Sequence, residues 1–191
     1  MSTAIARYTL LCGLTPLIPI PFLDEWVERS IRRQLYKEVA AQRGVTLDES
    51  ALDVLTEDRA SMLVGCLVVA VKWPIKKLFR TFFYFLTIKD VIDYAARAAH
   101  YGAMLDAAIV HGVPASGMGA KRSRQVRADM DVTLDRFRWS PVSRILMRGE
   151  RTEAEWIAGD DPLAKAVTWL FRAGGGGPLL ASFQSRLKDS T

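Results

Sequence analysis

The sequence predicts an all-α protein, a multi-helix bundle that ends in a C-terminal helix on a glycine hinge. Three observations carry this. Apolar residues recur at helical spacing over long windows, most clearly at Leu23, Trp26, Val27, Ile31, Leu35 and Val39. No stretch alternates apolar and polar residues between hairpin-type turns, and there is no internal repeat. The periodic segments end on glycine or proline, the residues that stop helices. At 191 residues the chain can bury one sizeable core. It divides into a helical domain over 1–173, with a sub-boundary at 112–120, and a glycine hinge with an amphipathic helix over 174–191.

From the N-terminus, Tyr8 to Leu23 is uncharged, yet Pro16, Pro19 and Pro21 forbid one continuous helix there. A helix opens at Pro21, with Asp24 and Glu25 in its first turn complementing the dipole, and stops near Gly44. Its apolar stripe predicts that Trp26, Ile31 and Leu35 are buried. Thr46 and Glu49 form a capping-box pattern for a short helix through Leu55. Residues 60–73 are nearly all apolar up to Pro74, and a second apolar arm, TFFYFLTI, fills 81–88. An alanine-rich helix spans roughly 90–111 and is closed by Gly112 and Pro114, before the loop over 112–120.

Lys121 to Arg138 reads as a polar helix with Val126, Met130, Leu134 and Phe137 on one side. Pro141 opens a short helix to Met147, and Trp156 with Ile157 anchors the next. Asp160 or Asp161 caps a helix at Pro162 that carries Leu163, Val167, Leu170 and Phe171. Gly174 to Gly177 read as a flexible joint. Beyond them Leu179, Leu180, Phe183 and Leu187 share one helical face, which suits reversible docking on this domain, a partner or a membrane.

Apolar content of 50% and charged content of 25% fit neither a disordered tail nor an integral membrane protein. A net charge of +5 favours anionic partners such as acidic lipid or nucleic acid. Cys12 and Cys66 lie in apolar runs without CxxC spacing and read as buried, reduced thiols. No small-residue cleavage site follows the N-terminal apolar stretch, so a cytoplasmic location is expected, peripheral at the inner face of the membrane.

Catalytic motifs are missing. No Lys-Ser or Lys-Thr pair follows the glycine cluster to make a Walker A loop, and neither GxSxG nor HExxH occurs. His100 and His111 share a helix face, but lie about 16 Å apart along its axis, too far to share a metal. Pairs of His100 with Asp93 and of His111 with Asp106 are the ordinary expectation. Asp90, Asp93 and Asp106 lack the ExxH pairing of a di-iron bundle. No catalytic, cofactor-binding or metal-binding residue is therefore assigned, no cofactor is expected, and a binding role is favoured over an enzyme.

The segment 60–88 is the most informative. Its arms fall short of the ~20 apolar residues that span a bilayer. Joining them would bury Lys72, Lys76, Lys77 and Arg80 at roughly 2.5–3.5 kcal/mol each. Two readings fit: a core hairpin with a solvated basic turn, or an interfacial segment. In the second, Trp73, Phe79, Phe82, Phe83 and Phe85 sit at the membrane interface while the four cations touch anionic headgroups.

The stretch LTPLIPIPFLDEWVERSIRRQLYKEVAAQRG resembles the opening of the membrane-associated helical domain of YcjF-like proteins, which is also appended to some bacterial GTPases. The resemblance covers residues 9–44. It rests on Pro16, Pro19 and Pro21, on Asp24 in an acidic first turn, and on the basic amphipathic helix with Arg32 and Arg33. It implies membrane association in a bacterium and, with no G domain present, nothing about nucleotide hydrolysis.

The expected function is thus a non-enzymatic peripheral membrane or scaffold protein that binds an anionic lipid surface or a protein partner. Its contact residues are Lys72, Trp73, Lys76, Lys77, Phe79, Arg80, Phe82, Phe83, Leu179, Leu180, Phe183 and Leu187. Two alternatives stand beside it. One is nucleic-acid binding through 121–151, where nine basic residues face four acidic ones that interleave on the same helix. The other is an enzyme with a small-molecule pocket among the helices.

Overall fold

Ser2 starts the first helix by accepting the Ile5 N–H on its hydroxyl, and α1 then runs over Thr3–Leu14. Pro16 ends it in a single 3-10 turn, Thr15–Leu17, where the Thr15 hydroxyl donates to the Cys12 carbonyl at 2.8 Å. The computed structural model describes residues 2–17, 23–57, 80–112, 117–136, 162–173 and 175–189. After α1 it holds α2 (Leu23–Gln42), α3 (Glu49–Thr56), α4 (Arg80–Gly112), α5 (Ala120–Arg136), α6 (Pro162–Ala173) and α7 (Gly176–Asp189). The protein is an all-α multi-helix bundle, with no strand among the described residues.

α2 ends as its sequence directs. Gly44 takes a positive φ of 68°, the Val45 N–H bonds the Ala40 carbonyl and the Gly44 N–H bonds the Ala41 carbonyl. This pattern is a Schellman cap. The buried face of α2, however, is not the stripe that hydropathy alone selects. It carries Glu28, Arg32, Leu35, Tyr36, Val39 and Ala40, whereas Trp26 is 66% exposed and Ile31 half-buried. Two residues turn a helix by about 200°, so burying Glu28 sends Trp26 to the opposite side.

α3 starts two residues later than the capping box implies, with Asp48 at the N-cap and no side-chain cap bond. Thr46 instead gives its carbonyl to the Met118 N–H at 3.2 Å, and Leu47 and Met118 form an isolated parallel bridge. That bridge holds the α2–α3 connection extended through Thr46.

α4 has 33 residues, about 50 Å of helix, and unites two segments that hydropathy separates, 81–88 and 90–111. Neither glycine nor proline interrupts residues 80–101, and Lys89 pairs with Asp93 at 2.6 Å across the junction. Its small residues let neighbours approach. A β-carbon on Gly102 would lie 3.3 Å from Ile5 and 3.4 Å from Leu35, and one on Gly13 of α1 would lie 3.0 Å from the Ala95 Cβ. The broadest helix contact is α1 on α4. The main core joins Ile5, Leu35, Leu52, Leu55, Met104, Leu105, Val126, Met130, Leu179, Phe183 and Leu187. A smaller cluster packs Val167 and Phe171 of α6 against Ala6 and Ala99.

Candidate functional site

Inside the bundle α2, α4 and α5 converge on a polar cluster. Arg32 pairs with Glu28 one turn earlier at 3.6 Å, and its guanidinium lies 6.0 Å from the Tyr101 ring centroid. Arg127 lies 4.9 Å from the same centroid, pairs with Asp131 at 3.1 Å and donates to the Leu55 carbonyl at the end of α3. The Tyr101 hydroxyl donates to Asp131 at 3.1 Å. Two cations thus meet two carboxylates and one electron-rich ring, a balanced arrangement that keeps buried charge paired.

Tyr36 is fully buried beside these groups, and its hydroxyl has no hydrogen-bond partner among the described residues. Burial drives its pKa upward, as it does for Tyr101. Burial also pushes the Cys12 thiol up to about 12, with Glu28 adding to the shift and Arg32 opposing it. At neutral pH Cys12 is therefore a thiol, not a nucleophilic thiolate. This cluster holds helices together and presents no activated group.

A different feature lies at one end of the bundle. Packing fixes the levels of the helices. Ile5 sits against Gly102 and Gly13 against Val91 and Ala95, so α1 runs antiparallel to α4. Leu35 lies against Gly102, Arg43 pairs with Asp106 at 2.8 Å, and so α2 runs parallel to α4. α2 packs against both α1 and the 3-10 turn that ends it, which places the start of α2 beside the end of α1. Leu14, Leu17, Trp26 and Ile88 therefore belong to the same end, and they are 44%, 54%, 66% and 53% exposed. Leu10 and Leu11 extend this apolar surface along α1. At this end too, α4 begins with Arg80 and the run TFFYFLTI.

Of the contact residues expected from sequence, Lys72, Trp73, Lys76, Lys77 and Phe79 lie outside the described residues. So do the helices expected at 141–147 and around Trp156. Arg80, Phe82 and Phe83 fall in the first turn of α4. Leu179, Phe183 and Leu187 are buried in the main core, with Leu180 half-buried beside it. His100 is buried against the Phe171 ring at 5.0 Å, whereas His111 is exposed in the last turn of α4. The expected acid partners are engaged elsewhere, Asp93 with Lys89 and Asp106 with Arg43. In the basic segment, Arg127 is committed to the interior, which leaves Lys121 and Arg124 as exposed cations of α5.

Sequence reasoning missed Leu14, Leu17 and Ile88. Each is unremarkable alone, and only the antiparallel pairing of α1 with α4 assembles them. Among the described residues, no group of three His, Cys, Asp or Glu is placed to hold a metal, and no helix is long and apolar enough to cross a membrane. No protein-family model, curated protein or solved structure matches the chain.

Proposed function

We propose that this is a non-enzymatic protein that attaches peripherally to an anionic membrane surface, at the inner face of a bacterial membrane. The observation that carries the reading is the exposed apolar end of the bundle at the point where α4 begins. The chain leading into that end is rich in aromatics and cations. From Arg59 to Lys89 it contains no acidic residue but does contain Lys72, Lys76, Lys77 and Arg80. Apolar and aromatic groups enter the acyl-headgroup boundary while neighbouring cations are drawn to acidic lipid, each contributing about 1 kcal/mol near the surface.

Vesicle co-sedimentation tests this. The protein is expected to pellet with vesicles containing phosphatidylglycerol and to be partly released by high salt. Duplex DNA should not compete. Replacing Lys72, Lys76, Lys77 and Arg80 together by Gln should weaken binding by about 1 kcal/mol per charge. A protein that stays in the supernatant with acidic vesicles at low salt is not a peripheral membrane protein of this kind.

A further inference from the structure

We infer that α6 is a hinged flap, which leaves the bundle on the turn at Gly175 while the other helices stay folded, and so uncovers His100. The glycine run singled out in the sequence thus serves the helix before it, not the one after. Burial separates the two helices. Among residues 162–172, Val167 alone is buried, whereas Leu163, Leu170 and Phe171 are half-buried and Trp169 is 41% exposed. α3, with 8 residues against the 12 of α6, buries Ala51, Leu52, Leu55 and Thr56. α7 sets Leu179, Phe183 and Leu187 into the main core. Local opening costs the apolar contact it gives up, so the most shallowly held helix opens first.

The seat of α6 is shallow as well. Val167 clusters with Ala6 of α1 and Ala99 of α4, whose side chains are single methyl groups. Beside them His100, 3% exposed, lies against the Phe171 ring at a centroid distance of 5.0 Å. The turn supplies the freedom to bend. Gly175 has a φ of 83°, a region that side chains disfavour, and its N–H bonds the Arg172 carbonyl at 2.9 Å. Gly177 follows in open space. The Phe171 ring lies across Gly176, so the ring that covers His100 also closes the turn. Lifting Phe171 releases both contacts at once.

The experiment is native-state hydrogen exchange on the full chain, with modification of His100 by diethylpyrocarbonate as a second readout. At low denaturant the amides of α6 should exchange through an opening at least about 100-fold more populated than that of α7. His111, exposed in the last turn of α4, supplies the uncovered modification rate within the same molecule. His100 should react more slowly than His111 by the fraction of time α6 is open. Val167→Ala should raise α6 exchange and His100 modification together by about tenfold, the equivalent of two buried methylene groups, and leave α7 unchanged. Leu187→Ala, in the main core, should speed α7 exchange and leave that of α6 as it was.

If α6 and α7 exchange through one opening with the same dependence on denaturant, α6 belongs to the cooperative core and the inference is overturned. It is overturned equally if α6 exchanges fast while His100 stays unmodified until the whole chain unfolds, since fraying of exposed turns then accounts for the exchange. Neither result bears on vesicle binding, so this inference and the membrane reading stand or fall separately.

Discussion

Arg127 lies 4.9 Å from the centroid of the Tyr101 ring while the same guanidinium holds Asp131 and the Leu55 carbonyl. One side chain thereby ties α5 to α4 and to the end of α3. The carbonyl it reaches is one of the groups a helix C-terminus leaves without an internal partner. Burial works against the Arg127 charge, but Tyr101, Tyr36 and Asp131 outweigh it and raise its pKa. The cation therefore persists at any pH the fold tolerates.

Arg127→Ala should consequently be among the most damaging single changes in the chain. It leaves Asp131 buried without its cation and removes the donor to Leu55. Breaking such a pair costs about 3–5 kcal/mol. Urea denaturation read by circular dichroism measures this, and a loss below about 1 kcal/mol, the range of an exposed pair, would show the cluster to be solvated.

Two adjacent glycines separate packing from chain flexibility. Gly175 adopts a φ of 83° and accepts the turn between α6 and α7. A β-carbon on Gly176 would run into the Phe171 ring, which itself packs on His100, whereas one on Gly177 would meet nothing within 4 Å. Gly176→Ala should therefore destabilise by about 1–3 kcal/mol through overpacking. Gly177→Ala, in the first turn of α7, should be neutral or stabilising by up to about 1 kcal/mol. Equal effects at the two positions, read as Tm, would mean that the Phe171 contact does not form.

Asp129 makes the stability depend on pH in an unusual direction. Burial raises its pKa, with Arg186 and Arg122 pulling the other way, and its Oδ2 has no hydrogen-bond partner among the described residues. A carboxyl whose folded pKa exceeds its unfolded value binds protons more readily when folded. The ionised form then penalises the fold above the folded pKa, and the penalty disappears as pH falls below about 4, the ordinary Asp value. Asp129→Asn should raise Tm at neutral pH, and the gain should shrink on acidification through the carboxylate range. A variant less stable than the parent at neutral pH would show that attraction to Arg186 and Arg122 dominates.

Much of the fold was legible because its signals are local. Gly44 stops α2, Pro16 stops α1, Pro162 opens α6, and Val126 with Met130 marks the inner face of α5. What was not legible depends on partners from distant sequence. Hydropathy assigns Trp26 to the core and Arg32 to the surface, yet Arg32 is buried because Glu28 and the Tyr101 ring receive it. α1 went unread because its exposed side carries Leu10, Leu11 and Leu14, which erases the amphipathic contrast that betrays a helix. The exposed apolar end was half legible. The run TFFYFLTI that opens α4 is a sequence feature, whereas Leu14 and Leu17 join it only through the antiparallel alignment of α1 with α4, and Trp26 through the parallel alignment of α2 with α4.

The last prediction concerns α7. Its stripe suits reversible docking when read from sequence, and its placement in the fold gives that idea a measurable consequence. Leu179, Phe183 and Leu187 are buried in the main core, and α7 packs against α4, α5 and α6. Deleting a buried Leu or Phe side chain costs about 2–5 kcal/mol. Three such losses rival the ~5–15 kcal/mol that stabilises an ordinary domain. Truncation at Gly174 should therefore abolish cooperative unfolding or lower Tm drastically, rather than release a folded remainder. Restoring α7 as a synthetic peptide in trans should recover part of the signal, because the groove it fills is formed by the other helices. If instead the truncated chain melts cooperatively near the parent Tm, α7 is a detachable arm, and its apolar stripe is available to a partner or a membrane.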